Sequence, residues 1–298
     1  MAWTTNATVM RFRSRYRIVD LVVEMLDGWR RHQSSKDAWL LAFFTFLSIF
    51  PLLLVAVTVL GIVLRGNPDL QERIVDSAMA QIPVVGGILE TPDRISGGTW
   101  ALIFGLAGAL WSSGRAFVGL QTALDDVWEI PLDDRANLPI QRAKAVLGVA
   151  IIGISQIGNL AIASLVSAAT LPALGDVALT AATVGINICV IASMYRFLTS
   201  YSPSWDDVWL GAVIAGVVFA VLQHFGTGLV KNFGGTAPGA DPDPVQIISI
   251  IIGLITWLSF VGITVMMCAE LNAARERLTD RVSAERGREL SLSMRTGD

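Results

Sequence analysis

Six long runs of apolar residues constrain the fold of this chain more than any other feature of its sequence. They cover about residues 38–64, 99–120, 145–171, 177–200, 208–230 and 246–271. An α-helix needs about 20 apolar residues to cross the hydrocarbon core of a bilayer. Only 16% of the 298 residues are charged, against roughly 25% in a soluble domain. The sequence therefore predicts an all-α, polytopic membrane protein with six transmembrane helices.

Basic residues flank these runs unevenly and predict their orientation. Seventeen of the 22 Lys and Arg residues fall in the two tails, in the 121–144 loop or next to the 201–207 loop. Four fall on the opposite side, and Arg115 lies within the second run. Because basic flanks stay on the cytoplasmic side, we expect both termini in the cytoplasm. The predicted organisation is a basic cytoplasmic tail at 1–37, a six-helix transmembrane domain at 38–271 and a cytoplasmic tail at 272–298.

Two stretches outside the runs have the apolar spacing of amphipathic, interfacial helices. The stripe in the N-terminal tail, after an Arg-rich segment, is Ile18, Val22, Met25 and Trp29. Such a helix can lie on the anionic lipids of the inner leaflet, or it can pack on the protein's own cytoplasmic face. The expected partners are therefore membrane lipids, and above all anionic inner-leaflet lipids. The stripe on the outer side is Leu70, Ile74, Ala78 and Ile82.

Arg115 is an unusual residue to find in an apolar run. It comes 16 residues after Thr99, so it lies about 24 Å along the helix, in the inner third of the membrane. A set of small residues shares its face within an arc of about 80°: Ala101, Gly105, Gly108, Ser112 and Gly119. Small residues let helices pack closely. The pattern predicts that Arg115 points into the helix bundle.

A buried arginine needs a partner. Glu270, near the cytoplasmic end of the last run, is the first choice by depth, and Asp37 is the second. Three interpretations stay open for Arg115. It forms a structural ion pair, it binds a phosphate or carboxylate head group in an inward-facing polar pocket, or it reaches to the lipid head groups.

Further polar residues in the runs are candidates for substrate binding or gating. Pro51 predicts a kink and a hinge in the first run. Asn159, with Gln156, and Asn187 lie at matched depth on consecutive runs, which predicts an interhelical hydrogen bond or the lining of a polar path. His224 in the fifth run is either a proton carrier or a hydrogen-bonded residue without that role.

No catalytic motif is visible. There is no HExxH, no GxSxG and no Walker loop, and Cys189 and Cys268 lie inside apolar runs. The acidic residues that could hold a divalent metal are Asp125, Asp126, Glu129, Asp133 and Asp134, and a solvated loop is the favoured interpretation. We therefore expect no enzyme activity, no metal and no cofactor.

Four stretches of the sequence resemble the hallmark blocks of a bacterial family. They are LAFFTFLSIFPLLL (Leu41–Leu54), LWSSGRAFVGLQTALDDVW (Leu110–Trp128), YRFLTSYSPSWDDVWLGAVIAG (Tyr195–Gly216) and CAELNAA (Cys268–Ala274). In this order they are similar to the YihY/BrkB inner-membrane family, and within it to the YhjD-like branch. The resemblance covers about residues 30–275. It implies a six-span, multi-pass protein of the bacterial plasma membrane.

The resemblance implies little chemistry. The family has carried a ribonuclease label, a virulence-factor label and suggestions that it transports lipids or other envelope components. Arg115 and Glu270 match the family's arginine in the second block and its glutamate in the last block.

The sequence as a whole favours a transporter, exporter or flippase-like protein. Its substrate would be a lipid, a lipid-linked envelope component or another anionic solute. The first alternative is a non-catalytic membrane scaffold or envelope-integrity factor. The second is a ribonuclease, which is disfavoured because the sequence has no catalytic cluster, and we expect no nucleic-acid partner. A homo-oligomer is compatible with the sequence.

Overall fold

A computed structural model of the chain describes residues 16–63, 98–168, 172–234 and 244–296. Within these ranges it has seven α-helices, one short 3-10 turn and no β-strand, in agreement with the predicted all-α class. The helices are α1 (Arg17–Arg31), α2 (Ser34–Val63), α3 (Gly98–Val127), α4 (Leu138–Ala168), α5 (Pro172–Leu198), α6 (Trp205–Gly234) and α7 (Pro244–Thr296). The 3-10 turn, Leu132–Asp134, lies between α3 and α4.

The predicted apolar runs lie on α2 to α7, one run on each helix. Among the described residues, four helical segments are long and apolar enough to cross a membrane. They are Leu138–Ser155, Val177–Leu198, Trp205–Gln223 and Ile251–Ala284. Large apolar side chains stand exposed along these segments, among them Ile154, Val221 and Ile252. A soluble protein rarely exposes so much apolar surface, whereas lipid tails cover it without cost.

The last helix is much longer than the run that predicts it. α7 has 53 residues and continues without a break past residue 271, where the sequence predicts a separate tail. The residues that follow, from 272 to 286, contain no Pro and no Gly, and many of them are Ala, Glu, Arg and Leu. These residue types favour the helical backbone, so nothing in the sequence ends the helix there.

The described residues fall into two compact units, each built from segments that are distant in sequence. The first unit takes its described residues from 1–37, 120–217 and 263–298. Its largest fully buried side chains are Tyr195, Leu124, Leu198 and Met266. The second unit takes its described residues from 38–119 and 218–262. Within the second unit, the indole N–H of Trp257 donates a 2.9 Å hydrogen bond to the carbonyl of Leu222.

In the first unit, α6 and α7 approach backbone to backbone at Gly211. A Cβ atom at this position would overlap with the carbonyl oxygen of Cys268 on α7. The side chain of Asn272 accepts a 2.7 Å hydrogen bond from the Gly211 N–H and donates a 3.0 Å hydrogen bond to the carbonyl of Val208. A glycine and a buried amide therefore hold these two helices in register.

The first helix packs by an unexpected face. α1 has the predicted amphipathic pattern, but its buried residues are Val23, Glu24 and Gly28. The predicted apolar stripe begins outside this contact, since Ile18 is 77% exposed and Val22 is 41% exposed. The charge of Glu24 is paired inside the contact, as described below, and this makes burial of its carboxylate possible.

Candidate functional site

The carboxylate of Glu270 on α7 is the most deeply buried acidic group that the structure describes, with an exposed fraction of 0%. Its Oε1 accepts a 2.6 Å hydrogen bond from the hydroxyl of Ser34 at the start of α2. The same oxygen lies 2.9 Å from Nδ1 of His32, which donates to it when that nitrogen carries the ring proton. Two residues from the α1–α2 connection therefore bind one carboxylate oxygen.

The connection between α1 and α2 is shaped to deliver both of these groups. The N–H of His32 bonds to the carbonyl of Gly28 at 2.9 Å and closes the last turn of α1. Gln33, between the two ligands, has a φ of 57°, in the left-handed region that non-glycine residues seldom adopt. This conformation separates the end of α1 from the start of α2 by a turn of two residues. As a result, the side chains of His32 and Ser34 reach the same atom.

The other oxygen of Glu270 faces a glycine and an arginine. A Cβ at Gly28 would overlap with Oε2 of Glu270 and would lie 3.1 Å from Nη2 of Arg277. That Nη2 is 3.7 Å from Oε2, which makes an ion pair within α7. The same guanidinium donates through Nη1 to the carbonyl of Val127 at 3.0 Å and so satisfies the end of α3.

Glu129 completes the site on the side that is open to solvent. Its side chain is 47% exposed, and its Oε1 lies 2.6 Å from Nη2 of Arg31. The same oxygen is 3.5 Å from Nε2 of His32 and 3.6 Å from Nη1 of Arg277. The backbone of Glu129 is also left-handed, with a φ of 55°, directly after the end of α3. Backbone strain of this kind persists where the surrounding contacts fix it.

A further set of charges joins α1 to the extension of α7. Glu24 is buried, and its two oxygens accept hydrogen bonds of 3.1 and 3.2 Å from the guanidinium of Arg281. Nε of Arg277 lies 3.6 Å from the same carboxylate. We call the whole set the Glu270 cluster; its members are Glu24, Arg31, His32, Ser34, Glu129, Glu270, Arg277 and Arg281.

Several buried polar atoms of the Glu270 cluster have no hydrogen-bond partner within the described part of the chain. They are Nε2 of His32, Oε2 of Glu270, and Nε and Nη2 of Arg277. Buried polar atoms are nearly always bonded in proteins, so these atoms mark a place where chemistry rather than packing sets the arrangement. Both donors and acceptors are present among them.

Asp37 lies one turn after Ser34, and the negative charges of this region affect the pKa of its carboxyl group. Burial raises the pKa of the Asp37 carboxyl above its ordinary value, and the charges of Asp126 and Glu270 raise that pKa further. Lys36 and His32 lower it and offset part of the effect. Three carboxyl groups near one another thus disfavour full ionisation of this face of the protein.

The acidic run after the second apolar segment is exposed only in part: Glu129, Asp133 and Asp134 are exposed, whereas the first two residues of the run have partners within the protein. Asp125 is buried, and its carboxylate accepts hydrogen bonds from the N–H of Ser200 at 2.7 Å and from its hydroxyl at 2.8 Å. Asp126 lies 2.7 Å from Nη2 of Arg135. Only Asp133 and Asp134, in the 3-10 turn, are both exposed and close in sequence. Within the described ranges, no three His, Cys, Asp or Glu side chains converge as metal ligands.

Arg115 has different surroundings from those that the sequence predicts. The residue is exposed, and its guanidinium lies over the ring of Trp111, 5.5 Å from the ring centre. Gly119, one turn later, would have open space around a Cβ. Arg115 and Gly119 are thus exposed, and the burial of this face against other helices stays a prediction. Within the first unit, the partners of Glu270 are His32, Ser34 and Arg277, and its pairing with Arg115 stays a prediction.

The other predicted site residues are only partly described. Asn187 is buried on α5, and near it Ile186 lies 3.8 Å from where a Cβ of Gly158 on α4 would be, so the predicted neighbourhood of these two helices is present. The side chains of Asn159, Gln156, His224 and Pro51 lie outside the described residues, as does the whole stripe from Leu70 to Ile82. The roles of Asn159, Asn187, His224 and Pro51 stay predictions.

Sequence reasoning missed His32, Ser34 and Arg277 as neighbours of Glu270. All three lie in segments that the sequence assigns to polar tails or to the edge of a run, where no depth argument applies. One signal was available. Glu24 and Gly28 recur at helical spacing beside the apolar stripe of α1, and a glycine on a charged helix face indicates close approach of another group.

Comparison with known proteins gives matches over residues that include nearly all of the Glu270 cluster. A family model described as "Virulence factor BrkB" matches residues 25–290. "Inner membrane protein YhjD" of Escherichia coli (strain K12) is 24% identical over 305 residues, which cover 94% of this chain and 88% of that protein. No solved structure matches the chain. Both matches agree with the family that the four sequence blocks predict.

Proposed function

The chain belongs to the BrkB virulence-factor family, and we propose that it is a six-span protein of the bacterial inner membrane with both termini in the cytoplasm. Three observations support this. The six apolar runs lie on six helices, of which four have described segments long enough to cross a bilayer. The curated relative is itself an inner membrane protein. The excess of basic residues in the tails and in two loops favours the cytoplasm for both termini.

We propose further that the protein moves a lipid, a lipid-linked envelope component or another anionic solute, and that Arg115 binds its anionic group. The observation that carries this proposal is the exposed guanidinium of Arg115 on an apolar helix, where it lies over the ring of Trp111. Among the side chains that the structure describes, no ion pair includes Arg115. Arginine binds phosphate and carboxylate groups through two parallel hydrogen bonds, which suits a head group.

The partners of Glu270 strengthen this interpretation of Arg115. If Glu270 were the counter-charge of Arg115, the arginine would join two helices and its charge would already be neutralised. Instead, Glu270 is bonded to His32 and Ser34. Because an unpaired charge in an apolar segment is costly, its retention favours a function over packing.

The amphipathic helix α1 is proposed to contact the inner leaflet. Its charged face, with Glu24 and Gly28, is buried in the protein, while Ile18 and Val22 are exposed. Arg17 and Arg30 are exposed on the same helix. Apolar residues flanked by arginines bind anionic lipid surfaces by insertion and by charge.

Scaffolding is the second candidate, and the Glu270 cluster is the observation that favours it. The cluster joins both ends of the described chain, α1 and the extension of α7, through ion pairs of the buried Glu24. A protein that only organises other envelope components needs such a rigid assembly and no ligand site. The transport and scaffolding candidates differ in one respect: only transport requires that Arg115 contribute to activity as well as to stability.

Topology can be tested by cysteine labelling in intact cells. The two natural cysteines, Cys189 and Cys268, are replaced by serine, and single cysteines are placed at exposed positions. Cysteines at Asp133 and Tyr201 are expected to react only after the inner membrane is permeabilised, as are cysteines in either tail. Labelling of any of these positions from the outside without permeabilisation would contradict the proposed orientation.

The transport proposal is tested with purified protein in liposomes that contain a fluorescent phosphatidylglycerol. Wild-type protein is expected to make the inner-leaflet probe accessible to an external quencher. Arg115→Ala is expected to slow this exchange at least about tenfold, the consequence of losing roughly 1.4 kcal/mol of binding, and Arg115→Lys is expected to retain part of it. Arg142→Ala, an exposed arginine at the start of α4, is the matched control and should leave the rate unchanged.

Lipids that copurify with the protein in mild detergent give an independent readout. One anionic lipid class, enriched over the bulk membrane and lost in Arg115→Ala, would support a head-group site. A bulk-like lipid profile in both proteins, together with no probe exchange, would overturn the lipid proposal and favour scaffolding.

A further inference from the structure

We infer that the Glu270 cluster is a proton-binding site, in which His32 carries protons between the exposed carboxylate of Glu129 and the buried carboxylate of Glu270. The inference goes beyond the proposed transport, because it concerns the proton alone and holds whether or not the protein moves an anion. It rests on the geometry of three side chains that belong to three separate helical segments of the first unit.

The three groups form a line from solvent to interior. Oε1 of Glu129 lies 3.5 Å from Nε2 of His32, and Nδ1 of the same ring lies 2.9 Å from Oε1 of Glu270. The exposed fractions of their side chains fall along this line from 47% to 9% to 0%. A structural ion pair needs no such gradient. An imidazole with one nitrogen toward each carboxylate is the arrangement that lets a ring pass a proton inward.

The proton transfer balances without any other reactant. In the ionised state, Nδ1–H of the neutral ring donates to Glu270. A proton that arrives on Glu129 moves to Nε2, where an N–H bond forms on the ring's lone pair. The Nδ1–H bond then breaks, its electron pair stays on Nδ1, and an O–H bond forms on Oε1 of Glu270. The ring is neutral again with its proton on Nε2, Glu270 is uncharged, and the reverse steps release the proton.

Ser34 lets the site hold both protonation states without moving heavy atoms. Its hydroxyl donates to Oε1 when Glu270 is ionised. A hydroxyl also accepts, so it can receive a hydrogen bond when the carboxyl carries the proton. Nε2 of His32 is buried and has no hydrogen-bond partner in the described part of the chain, and it is the atom that takes up the incoming proton.

Charged groups surround His32 on every element that packs around it. They are Asp27 and Arg31 on α1, Lys36 and Asp37 on α2, Asp126 and Glu129 at the end of α3, and Glu270 and Arg277 on α7. Arg277 lies within 4 Å of both carboxylates of the relay. When Glu270 takes up a proton, this guanidinium loses one of its three carboxylate partners, so the charge balance between α1 and α7 changes with the proton.

The test is infrared difference spectroscopy of the full chain in lipid nanodiscs, with no substrate present. Lowering the pH in the wild-type protein is expected to produce the C=O band of a buried protonated carboxyl, with the shift that D₂O causes. Glu270→Gln should lack this band. Asp133→Asn, an exposed carboxylate outside the cluster, is the matched control and should keep it. An unchanged band in Glu270→Gln would overturn the site.

The relay itself is tested by the rate at which the band appears after a pH jump. His32→Gln keeps a donor toward Glu270 but cannot shuttle a proton, so its band should rise on the order of 100-fold more slowly, as expected when a general acid–base group is removed. Glu129→Gln should also slow it. Asp133→Asn, an exposed carboxylate outside the cluster, should keep the wild-type rate. A His32→Gln rate equal to wild type would overturn the relay.

The result is separable from the transport proposal. Arg115→Ala is expected to keep both the band and its rate, because Arg115 is not a member of the cluster. Loss of lipid exchange with an intact band would leave the proton site standing, and the opposite result would leave the transport proposal standing. Thermal unfolding of each variant shows that the protein measured is folded.

Discussion

Oδ1 of Asn272 accepts a 2.7 Å hydrogen bond from the backbone N–H of Gly211, which joins the middle of α7 to the first turns of α6. The amide group of Asn272 returns a hydrogen bond to the carbonyl of Val208. Because both partners are backbone atoms, the contact depends on close approach of the helices. Gly211 permits that approach.

Replacing Gly211 by alanine tests this approach. The added methyl would overlap with the Cys268 carbonyl and with Asn272, so the helices must separate, at a cost of about 1–3 kcal/mol. We expect a lower midpoint of thermal unfolding in detergent. Gly153→Ala on α4 is the matched control, since a Cβ there meets open space, and it should be neutral or stabilising. Equal midpoints for the two variants would contradict the close contact.

The helices could largely be predicted from sequence, and for a physical reason. Apolar runs of about 20 residues have few alternatives to helical structure in a membrane, since every backbone group must bond internally. The runs on α3 and α6 lie within the helices that the structure shows. The end of α7 could not be predicted in this way, because residues 272–286 leave the apolar pattern but keep strong helix formers.

The candidate site was much harder to predict. The sequence predicts Glu270 as a site residue by its depth in the last run and by its match to the last sequence block. Its partners were not identified, because His32 and Ser34 are more than 230 residues away and lie outside the apolar runs. Depth in the membrane is the only positional information that the sequence provides, and it predicts Arg115 as the partner of Glu270. Contacts made by tails and connections depend on the three-dimensional path of the chain, which apolar patterning does not encode.

Attachment of α1 depends on the absence of a side chain at Gly28. Gly28→Ala would drive a methyl into the fixed carboxylate of Glu270. We expect a loss of about 1–3 kcal/mol from this overpacking, together with faster proteolytic cleavage near the α1–α2 connection. Gly185→Ala on α5, where a Cβ meets nothing, should change neither. Wild-type cleavage in Gly28→Ala would show that α1 does not need this contact.

Substitution of Gln33, which has a left-handed backbone, is a second test of the α1–α2 connection. Glycine adopts a φ of 57° without steric cost, whereas a β-branched residue does so at a cost of about 1–3 kcal/mol. Gln33→Gly is therefore expected to match or exceed wild-type stability, and Gln33→Val to fall below it. The measurement is thermal unfolding of both variants beside wild type. A Val variant as stable as the Gly variant would contradict the left-handed turn.

Asp125 has a structural role that its place in an acidic run conceals. It accepts two hydrogen bonds from Ser200, and an asparagine would place an N–H₂ group against one of these donors. Asp125→Asn is expected to cost about 1–3 kcal/mol, the usual cost of an unsatisfied buried group. Asp133→Asn, exposed in the 3-10 turn, should cost nothing measurable. The same thermal assay separates them, and similar losses for both would argue against the Ser200 contact.

Asp37 should make stability depend on pH in a defined direction. Burial, with the charges of Asp126 and Glu270, raises its folded-state pKa above the ordinary value of 3.8. Between these two pKa values, the folded protein binds more protons than the unfolded chain, so stability falls as pH rises through the folded pKa. The contribution of Asp37 to stability is therefore favourable at a pH below its ordinary pKa of 3.8 and absent at neutral pH.

Asp37→Asn removes that dependence, because the amide stays neutral at every pH. We expect the variant to be more stable than wild type at neutral pH and the difference to shrink as the pH is lowered through the folded pKa toward 3.8. One effect opposes this. Asp37 lies in the first turn of α2, where the helix dipole favours a negative charge by about 0.3–1 kcal/mol. Thermal unfolding at several pH values shows which of the two effects is larger. A variant less stable than wild type at neutral pH would mean that the helix dipole outweighs burial and charge repulsion.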